Sequence, residues 1–286
     1  MRRLTRENYV FELSRDNPPA YTIEDGETVV AETKDALVGY MERDGRQREG
    51  RPGANPATGP IEVKGSEPGE ALAVTIHEVT PADWGYIAGV DNDVKATIIE
   101  IRDGIAHYPW GLRLPLNPVV GVVGTAPSGD PVPTTTPCDS GGNLDTTDVR
   151  AGATIYLPVA APGALLAIGD VHALQGDSEC CGTGIECDAE ITFTVRRVTD
   201  PLWPTAYLVR NDELMVFSHS KDLDEAAWGA VAEMAKLITK LTGLSDVESR
   251  RLLATAGDIR ISQIVNPKRT CRAVIPRQAI PDHWPF

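Results

Sequence analysis

Short β-prone runs fill the first two thirds of the chain. They lie at residues 27–35, 71–79, 95–104, 153–159 and 190–198. Several of them alternate apolar and polar residues, as half-buried strands do, because successive side chains of a strand point to opposite faces. Gly- and Pro-rich text at 55–60, 66–70 and 126–137 separates the runs and predicts turns or loops. The pattern predicts strands joined by tight connections.

The pattern changes after about residue 220. Apolar residues at steps of four and three predict an amphipathic helix whose stripe is Ala227, Val231, Met234, Ile238 and Leu241. Acidic residues precede this stripe and Gly243 follows it, as the helix dipole and a C-cap favour. A second helix is predicted from Ser245, which can form a capping box with Glu248. A last β-prone run follows at 258–265.

Together these patterns predict a mostly β protein with a smaller α/β C-terminal part. We expect a β-rich core over residues 1–200 that carries the acidic loops described below. A smaller helical and β portion over residues 201–286 is expected to pack on this core. With 286 residues and 42% hydrophobic residues, the chain is too apolar to be disordered and can bury a large core.

The net charge of −14 argues against nucleic acid and anionic membranes as partners, because both bind basic surfaces. No apolar run approaches the roughly 18 residues that a membrane span needs. The basic N-terminus lacks the apolar segment of a secretory signal. Five cysteines without a regular spacing do not indicate a disulfide framework. A cytoplasmic location is therefore expected.

Much of the negative charge lies in one stretch. Residues 114–195 hold ten acids and one arginine, a net charge of −9. Within them, residues 169–190 place six carboxylates around His172 without any lysine or arginine. Carboxylates packed at loop tips beside a histidine repel one another unless a cation or shared protons relieve them. The stretch predicts a metal or shared-proton site, and a plain acidic surface is the alternative.

Three cysteines, Cys180, Cys181 and Cys187, lie in the same stretch. Their spacing is not the paired spacing of structural zinc sites. We therefore interpret them as small buried hydrophobic residues. A nucleophilic pair of Cys181 with His172 is the alternative, although the nearby carboxylates oppose formation of a thiolate.

Several motifs of the chain resemble those of the acetamidase/formamidase family. The family's GGN-[ML]-D element corresponds to GGNLDTTD at 141–148, and its LYLPV strand end to TIYLPV at 154–159. Its PGA and GD-x-HA-x-QGDGE segments correspond to APGALLAIGD at 161–170 and HALQGDSE at 172–179, followed by GTGIE at 182–186. NPATGP at 55–60 and GDIRISQIVNP at 257–267 extend the resemblance over nearly the whole chain. Two positions depart from the family, because Ser178 replaces the last Gly of GDGE and Ser140 precedes GGN.

The resemblance implies a cytoplasmic hydrolase that cleaves the C–N bond of short amides, such as formamide and acetamide, to carboxylate and ammonia. It also implies a bound divalent metal, a β-sandwich-like core and a homodimer or higher homo-oligomer. Zn²⁺ is the first expectation, since it lowers the pKa of bound water and polarises carbonyls. The excess of oxygen ligands is compatible with a second Ca²⁺ or Mg²⁺.

The expected metal ligands are His172, Asp170, Asp145, Glu186 and Asp35. His172 and Asp170 stand at i and i+2, so on a strand they share one face. Asp145 has the same spacing from Asn143, which would let two short segments converge on one cation. Asp35 is included because it resembles an acidic position in the family's N-terminal segment.

Glu179 is expected to transfer protons as a general acid or base, with Asp177 as the second candidate. Asn143 and Gln175 are expected to donate hydrogen bonds to the substrate carbonyl. The remaining histidines have no comparable surroundings and are predicted to be non-catalytic: His77, His107, His219 and His283.

Two other functions agree with the same residues. One is a metal-dependent hydrolase that acts on a cyclic or larger amide. The other is a non-enzymatic β-sandwich binding module whose acidic loops hold a structural cation. An enzyme needs a concave pocket with an open metal position, whereas a structural metal site is closed, so the geometry of the site distinguishes these classes.

Overall fold

The computed structural model describes residues 1–88 and 95–286. The strands of these residues are β1 Arg2–Leu4, β2 Tyr9–Val10, β3 Glu12–Leu13, β4 Tyr21–Ile23, β5 Thr28–Thr33, β6 Ala57–Val63, β7 Ala71–Pro81, β8 Trp84–Ile87, β9 Thr97–Arg102, β10 Ile105–His107, β11 Arg113–Pro115, β12 Val119–Gly124, β13 Val132–Pro133, β14 Pro137–Cys138, β15 Gly141–Asn143, β16 Thr154–Pro158, β17 Leu166–His172, β18 Ala189–Val198, β19 Tyr207–Arg210, β20 Glu213–Ser220, β21 Asp258–Gln263 and β22 Arg269–Pro276. The helices are α1 Leu223–Thr242, α2 Asp246–Ala256 and two 3-10 turns, Arg277–Ala279 and Pro281–His283.

Two large sheets form the body of the protein. The first has nine strands in the order β1-β5-β18-β7-β16-β19-β20-β22-β21. The second has seven strands in the order β14-β15-β12-β17-β6-β2, with β4 also paired to β6. A four-stranded sheet, β11-β10-β9-β8, and the pair β13-β3 complete the described sheets. The expected mostly β fold is confirmed.

The main core contains buried side chains from both large sheets. The nine-stranded sheet contributes through β5, β7 and β18, and the seven-stranded sheet through β6, β12 and β17. Strand β18 buries every second residue, as a strand with one face on a core does. Strands β12 and β17 are buried along their whole length, because they lie inside their sheet and are covered on both faces.

Helix α1 packs against β20 and β22 and closes a second core. Gly243 follows the helix at φ 75° as predicted, and the leading acids include Asp222, which caps the N-terminus by accepting from the amide of Glu225. The predicted stripe is rotated slightly, because the residues that the helix buries are Ala226, Ala230, Met234, Ala235, Leu237 and Ile238. Helix α2 has the predicted capping box between Ser245 and Glu248.

Two predictions about connections need correction. NPATGP was expected to be a loop, but Ala57–Val63 form β6, whose pairing with β17 outweighs the turn preference of Gly and Pro. The expected loop at 126–137 contains the short β13 and the first residue of β14. The division at residue 200 stays a prediction, and the nine-stranded sheet crosses it where β16 pairs with β19. Neither helix of the described residues has the length and apolarity that crossing a membrane requires.

Candidate active site

Three neighbouring strands of the seven-stranded sheet bring the site together. Strand β12 lies between β15 and β17. Asp145 follows β15 by two residues, and Asp170 lies in β17 opposite Gly121 of β12. A Cβ on Gly121 would stand 2.6 Å from Oδ1 of Asp145 and 2.9 Å from Oδ2 of Asp170. The two carboxylates therefore converge over a glycine, because any larger residue there would push them apart.

His172, at the end of β17, is 2% exposed and has a fixed ring orientation. Its Nδ1 lies 2.7 Å from Oε1 of Gln175, and Nε2 of Gln175 donates to the Asp145 carbonyl at 2.8 Å. Because the Gln175 amide donates through its nitrogen, its oxygen faces the ring and accepts from Nδ1. The other ring nitrogen, Nε2, lies 3.2 Å from Oε2 of Glu186 and 3.9 Å from Oδ1 of Asp170.

The loop after β17 adds two more carboxylates. Atoms of His172, Glu179 and Glu186 lie within 4.8 Å of one another, as do atoms of Asp145, Asp170 and His172. Backbone bridges to Tyr86 and His172 hold Glu186 in place. Backbone hydrogen bonds between Ser178 and the segment 261–264 fix the loop beside Glu179. Among the residues that the structure describes, four acids thus surround the imidazole of His172.

Several buried oxygen atoms of this cluster lack a hydrogen-bond partner within the described residues. They are Oδ1 of Asn143, Oδ1 of Asp145, Oδ1 of Asp170, Oε2 of Glu179 and Oε2 of Glu186, the last of which has only its ion-pair contact with Nε2 of His172. Buried polar atoms normally find partners, and leaving one without a partner costs about 1–3 kcal/mol. Five such atoms at one place match the donor set that a hard or borderline divalent cation requires.

Three of the acids are held in unusual backbone conformations. Asp145, Asp170 and Glu179 have φ angles of 41°, 55° and 45°. Side chains other than glycine rarely adopt this left-handed region, and such conformations persist only where the surrounding structure imposes them. The fold therefore maintains backbone strain at three residues that all point to one cluster.

Burial and mutual repulsion dominate the electrostatics. Burial raises the pKa of Asp145, Asp170 and Glu179, that of Asp170 strongly and that of Glu179 to about 10. Burial also opposes charge on His172, but attraction to Glu186 and the other acids outweighs it and raises the pKa of the ring well above its usual range. Without another cation, the cluster therefore retains protons at neutral pH.

A cavity of about 250 Å³ opens onto these groups. Its wall includes Asn143, Asp170, His172, Glu179 and Glu186. The rest of the wall combines apolar, amide and basic side chains with backbone: Ala36, Leu37, Arg51, Ala54, Asn55, Tyr86, Ala88, Thr135, Gly182, Val265, Asn266 and Pro267. The site is therefore concave and polar at one end, as an enzyme pocket is.

Three of the predicted site residues lie outside the cluster. Asp177 is 44% exposed in its side chain and accepts two hydrogen bonds from Arg272 at 2.9 Å. Asp35 is buried, but it accepts from the amides of Leu37 and Gly39 and from the hydroxyl of Tyr86. Gln175 orients His172 and is absent from the cavity wall among the described residues. The predicted roles of Asp177 in catalysis, of Asp35 as a metal ligand and of Gln175 in substrate binding stay predictions.

Three further residues of the site were not singled out from the sequence. Asn55 donates to Oδ2 of Asp170 and Asn266 donates to Oδ2 of Asp145, both at 2.7 Å. Tyr86 lies in the cavity wall and donates to Asp35 at 2.8 Å. The two asparagines belong to the NPATGP and IVNP motifs, so the resemblance to the family contained the information needed to identify them as site residues. Tyr86 lies outside the motifs that indicated the site.

The cysteines differ from the prediction in part. Cys187 is buried, as expected, and burial raises the pKa of its thiol well above the usual range. Cys180 and Cys181 are exposed, because they occupy the tip of the loop that carries Glu179. The interpretation of these two as buried packing residues is wrong.

Comparison with known proteins agrees with this geometry. The sequence profile of the Acetamidase/Formamidase family matches residues 8–133 and 128–202. The chain belongs to this family. The expected enzyme class, a hydrolase of linear amides, agrees with the family and with the names of its relatives.

Two crystal structures of family members have nearly the same fold. An acetamidase from Bacillus halodurans is 35% identical, with 98% of this chain and 99% of that chain covered and a TM-score of 0.94. A protein from Thermoanaerobacter tengcongensis, described as a predicted acetamidase/formamidase, is 31% identical over 98% and 97% of the two chains, with a TM-score of 0.93. A protein of Schizosaccharomyces pombe with a provisional formamidase name is 29% identical, and the match spans 62% of this chain and 61% of that protein.

Proposed function

We propose that this protein hydrolyses the C–N bond of short linear amides to a carboxylic acid and ammonia, with a divalent metal bound in the cluster around His172. The observation that carries the proposal is the set of buried oxygen atoms without hydrogen-bond partners. Four of the five belong to residues of the cavity wall, and Oδ1 of Asp145 lies beside them in the cluster; the chain is a member of an amidase family.

The residues present fit a divalent metal. Asp145, Asp170, His172 and Glu186 would hold it, with Nε2 of His172 as the nitrogen ligand. Gln175 leaves that nitrogen available because it accepts from Nδ1, which is how metal-bound histidines are usually oriented. The bound ion would polarise the amide carbonyl and lower the pKa of a water molecule. Imidazole with carboxylates is a donor set that suits Zn²⁺, which remains our first choice.

Glu179 is the proposed proton carrier. Hydrolysis takes one proton from the attacking water and delivers it to the leaving nitrogen, so a single carboxyl group can perform both transfers. Glu179 lies in the cavity wall, and its Oε2 atom has no hydrogen-bond partner among the described residues. Burial raises its pKa to about 10, so it binds a proton readily in the absence of added positive charge.

The cavity suits substrates larger than formamide. A volume of about 250 Å³ corresponds to roughly eight water molecules at about 30 Å³ each. Formamide and acetamide, with three and four heavy atoms, would fill only part of it. Asn143 can donate to the carbonyl from the wall, and Leu37 and Val265 offer apolar contacts for a short acyl chain. We therefore include propionamide and butyramide among the candidate substrates.

Ammonia release from a series of linear amides, from formamide to butyramide, tests the activity. Purified protein loaded with Zn²⁺ should release ammonia and the matching acid from at least one member. A cyclic amide of similar size serves as a comparison for the alternative substrate class. Full metal occupancy without turnover of any amide would favour a binding module that holds a structural cation.

Elemental analysis of the same preparation tests the metal site. Wild-type protein should contain near-stoichiometric divalent metal, and His172→Ala should lose most of it. His283→Ala is the matched control, because His283 is exposed and far from the motifs of the site. Equal metal content in all three proteins would contradict the proposed ligand. The cytoplasmic location and the homo-oligomeric state stay predictions.

A further inference from the structure

Two exposed thiols lie on the turn that forms one side of the cavity. The amide of Gly182 donates to the carbonyl of Glu179 at 2.8 Å, which closes a β-turn with Cys180 and Cys181 as its central residues. Both ends of this turn, Glu179 and Gly182, contribute to the cavity wall. A change in the turn is therefore transmitted directly to the carboxyl group that faces the site.

The two sulfur atoms are close, but the backbone does not suit a bridge between them. They lie 3.9 Å apart, and a disulfide needs about 2.05 Å. Disulfide-linked Cα atoms are usually 4.4–6.8 Å apart, whereas neighbours in a trans peptide are held at about 3.8 Å. Closing the bridge would twist the peptide between Cys180 and Cys181 and change the dihedral angles of the whole turn.

The turn has little freedom to absorb such a change. Ser178, Glu179 and Gly182 all have φ angles in the left-handed region, at 78°, 45° and 73°. Ser178 is fixed on one side, because its amide and carbonyl bond to the segment 261–264. The displacement therefore falls on Glu179 and on the residues that follow it.

We propose that Cys180 and Cys181 form a redox modification site that controls the position of Glu179. Oxidation breaks two S–H bonds and forms one S–S bond. With a low-molecular-weight disulfide as the oxidant, the two electrons and two protons released by the cysteines convert it to two thiols. With hydrogen peroxide as the oxidant, the same two electrons and two protons convert it to two water molecules. A bridge strained in this way has a high reduction potential, so thiols readily reverse it.

The other cysteines are poor competitors for an oxidant. Cys187 and Cys271 are buried, and Cys138 is half-buried. Burial raises the pKa of Cys138 to about 11 and that of Cys187 well above its usual range, so both stay protonated at neutral pH. Since an oxidant must also reach the sulfur atom, an added oxidant should act first on the exposed pair.

Intact mass and thiol titration test the modification without reference to activity. The metal-loaded protein is treated with oxidised glutathione or with hydrogen peroxide at neutral pH. We expect a monomer that has lost two hydrogen atoms and two titratable thiols, with the bridge located in the peptide that contains residues 180 and 181. Cys180→Ser and Cys181→Ser should not form this species. A lasting glutathione adduct, added oxygen or a cross-linked dimer in the wild type would overturn the proposal.

The effect on Glu179 rests on the proposed amidase function and has its own readout. Turnover of the oxidised wild type should fall roughly 10- to 100-fold, as expected when a catalytic group is displaced by about 1 Å, and dithiothreitol should restore it. Cys180→Ser should keep its turnover under the same oxidant. A bridged protein with unchanged turnover would overturn the control of Glu179. Absence of turnover in the reduced wild type would instead contradict the amidase function, while the mass measurement still decides whether the bridge forms.

Discussion

At the scale of single residues, the candidate site depends on neighbouring groups that bind some atoms of the acids and of His172 and leave the others available to a cation or a substrate. Gly121 has no side chain, so Asp145 and Asp170 can approach each other above it. Gln175 occupies one nitrogen of His172 and leaves the other directed at the acids. Asn55 and Asn266 each donate to one oxygen of an aspartate and leave its second oxygen without a partner among the described residues. These neighbours determine which atoms remain for a cation or a substrate.

Substitution of Glu179 by Gln tests the proton carrier. Glutamine keeps the size of the side chain and can form hydrogen bonds, but it does not exchange protons. We expect turnover to fall roughly 10²–10⁴-fold while the metal content barely changes. The measurement is ammonia release together with elemental analysis. Glu67→Gln is the matched control, because Glu67 is exposed at a turn away from the cavity. If Glu179→Gln loses the metal, Glu179 is a ligand and the proton carrier is another acid.

His219 predicts a dependence of stability on pH that is separate from the site. Burial and the nearby Lys268 lower the pKa of this half-buried ring to about 3, while Nδ1 lies 3.0 Å from the hydroxyl of Thr270. In the unfolded chain its pKa is about 6.5, so the unfolded state binds more protons between these two values. The contribution of His219 is therefore complete above about pH 6.5 and is lost as the pH falls towards 3, by at most about 1.4 kcal/mol per pH unit.

Urea unfolding at several pH values between 4 and 8 measures this contribution. His219→Asn can keep a hydrogen bond to Thr270 but does not titrate. Its free energy of unfolding should therefore fall less steeply below about pH 6.5 than that of the wild type. His283→Asn, at an exposed position, should follow the wild type. Parallel curves for wild type and His219→Asn would show that the ring is not held neutral in the folded protein.

At the scale of elements, Arg272 of β22 connects the two loops that carry the site acids. Its side chain is 1% exposed, and its Nε donates to Asp148 at 3.0 Å. Its Nη2 reaches both oxygens of Asp177 and the hydroxyl of Thr147. Thr147 and Asp148 follow Asp145 in one loop, and Asp177 precedes Glu179 in the other. The guanidinium thus ties both loops to the nine-stranded sheet.

Substitution of Arg272 and substitution of Asp177 should have different consequences. Arg272→Met removes the hydrogen bonds of a buried guanidinium, while Arg210 and Arg260 still lie 3.6 and 3.8 Å from Asp148, so we expect a loss of about 1–3 kcal/mol in the free energy of unfolding. Asp177→Asn affects an exposed partner and should cost less than about 1 kcal/mol. Because the Asp177 carboxylate pairs with Arg272 and is not among the described residues that line the cavity, we expect its variant to keep turnover within roughly tenfold. Urea unfolding and ammonia release measure the two effects. A loss of 10²-fold or more in stable Asp177→Asn would restore Asp177 as a proton carrier.

The elements predicted best from the sequence were those specified by local signals. The α2 capping box, the caps of α1 and the strand at 190–198 depend on residues a few positions apart, which the sequence displays directly. Residues 55–60 were predicted to be a loop, because the pairing of Ala57–Val63 with β17 is a long-range contact that the Gly and Pro residues conceal. By contrast, the spacing of His172 and Asp170 along one strand was enough to group these two residues from the sequence. The roles of Tyr86, Asn55 and Asn266 depend on contacts between distant segments, and spacing along the chain does not reveal these.

At the scale of the whole molecule, the most acidic segment of the chain also contributes strands to the buried core around the cluster. The segment 114–195 carries −9 of the net charge of −14, and it contributes β12 and β17 to the middle of the seven-stranded sheet. Charged groups therefore lie among strands that are buried along their whole length. Burial of uncompensated charge is costly, so the folded state should depend on whatever neutralises these acids.

If the proposed metal is bound around His172, its removal by a chelator should lower the melting temperature of the whole protein. A ligand that binds only the folded state at 100 times its Kd stabilises it by about 2.7 kcal/mol. For a chain of this size each kcal/mol corresponds to about 2–4 °C, so we expect a decrease of roughly 5–10 °C. Re-addition of Zn²⁺ should reverse it, whereas His172→Ala should melt at the same temperature with and without chelator. Calorimetry or thermal denaturation followed by circular dichroism measures both. If wild type and His172→Ala respond alike to the chelator, the metal stabilises the protein from another place, and the acids around His172 must instead be neutralised by shared protons.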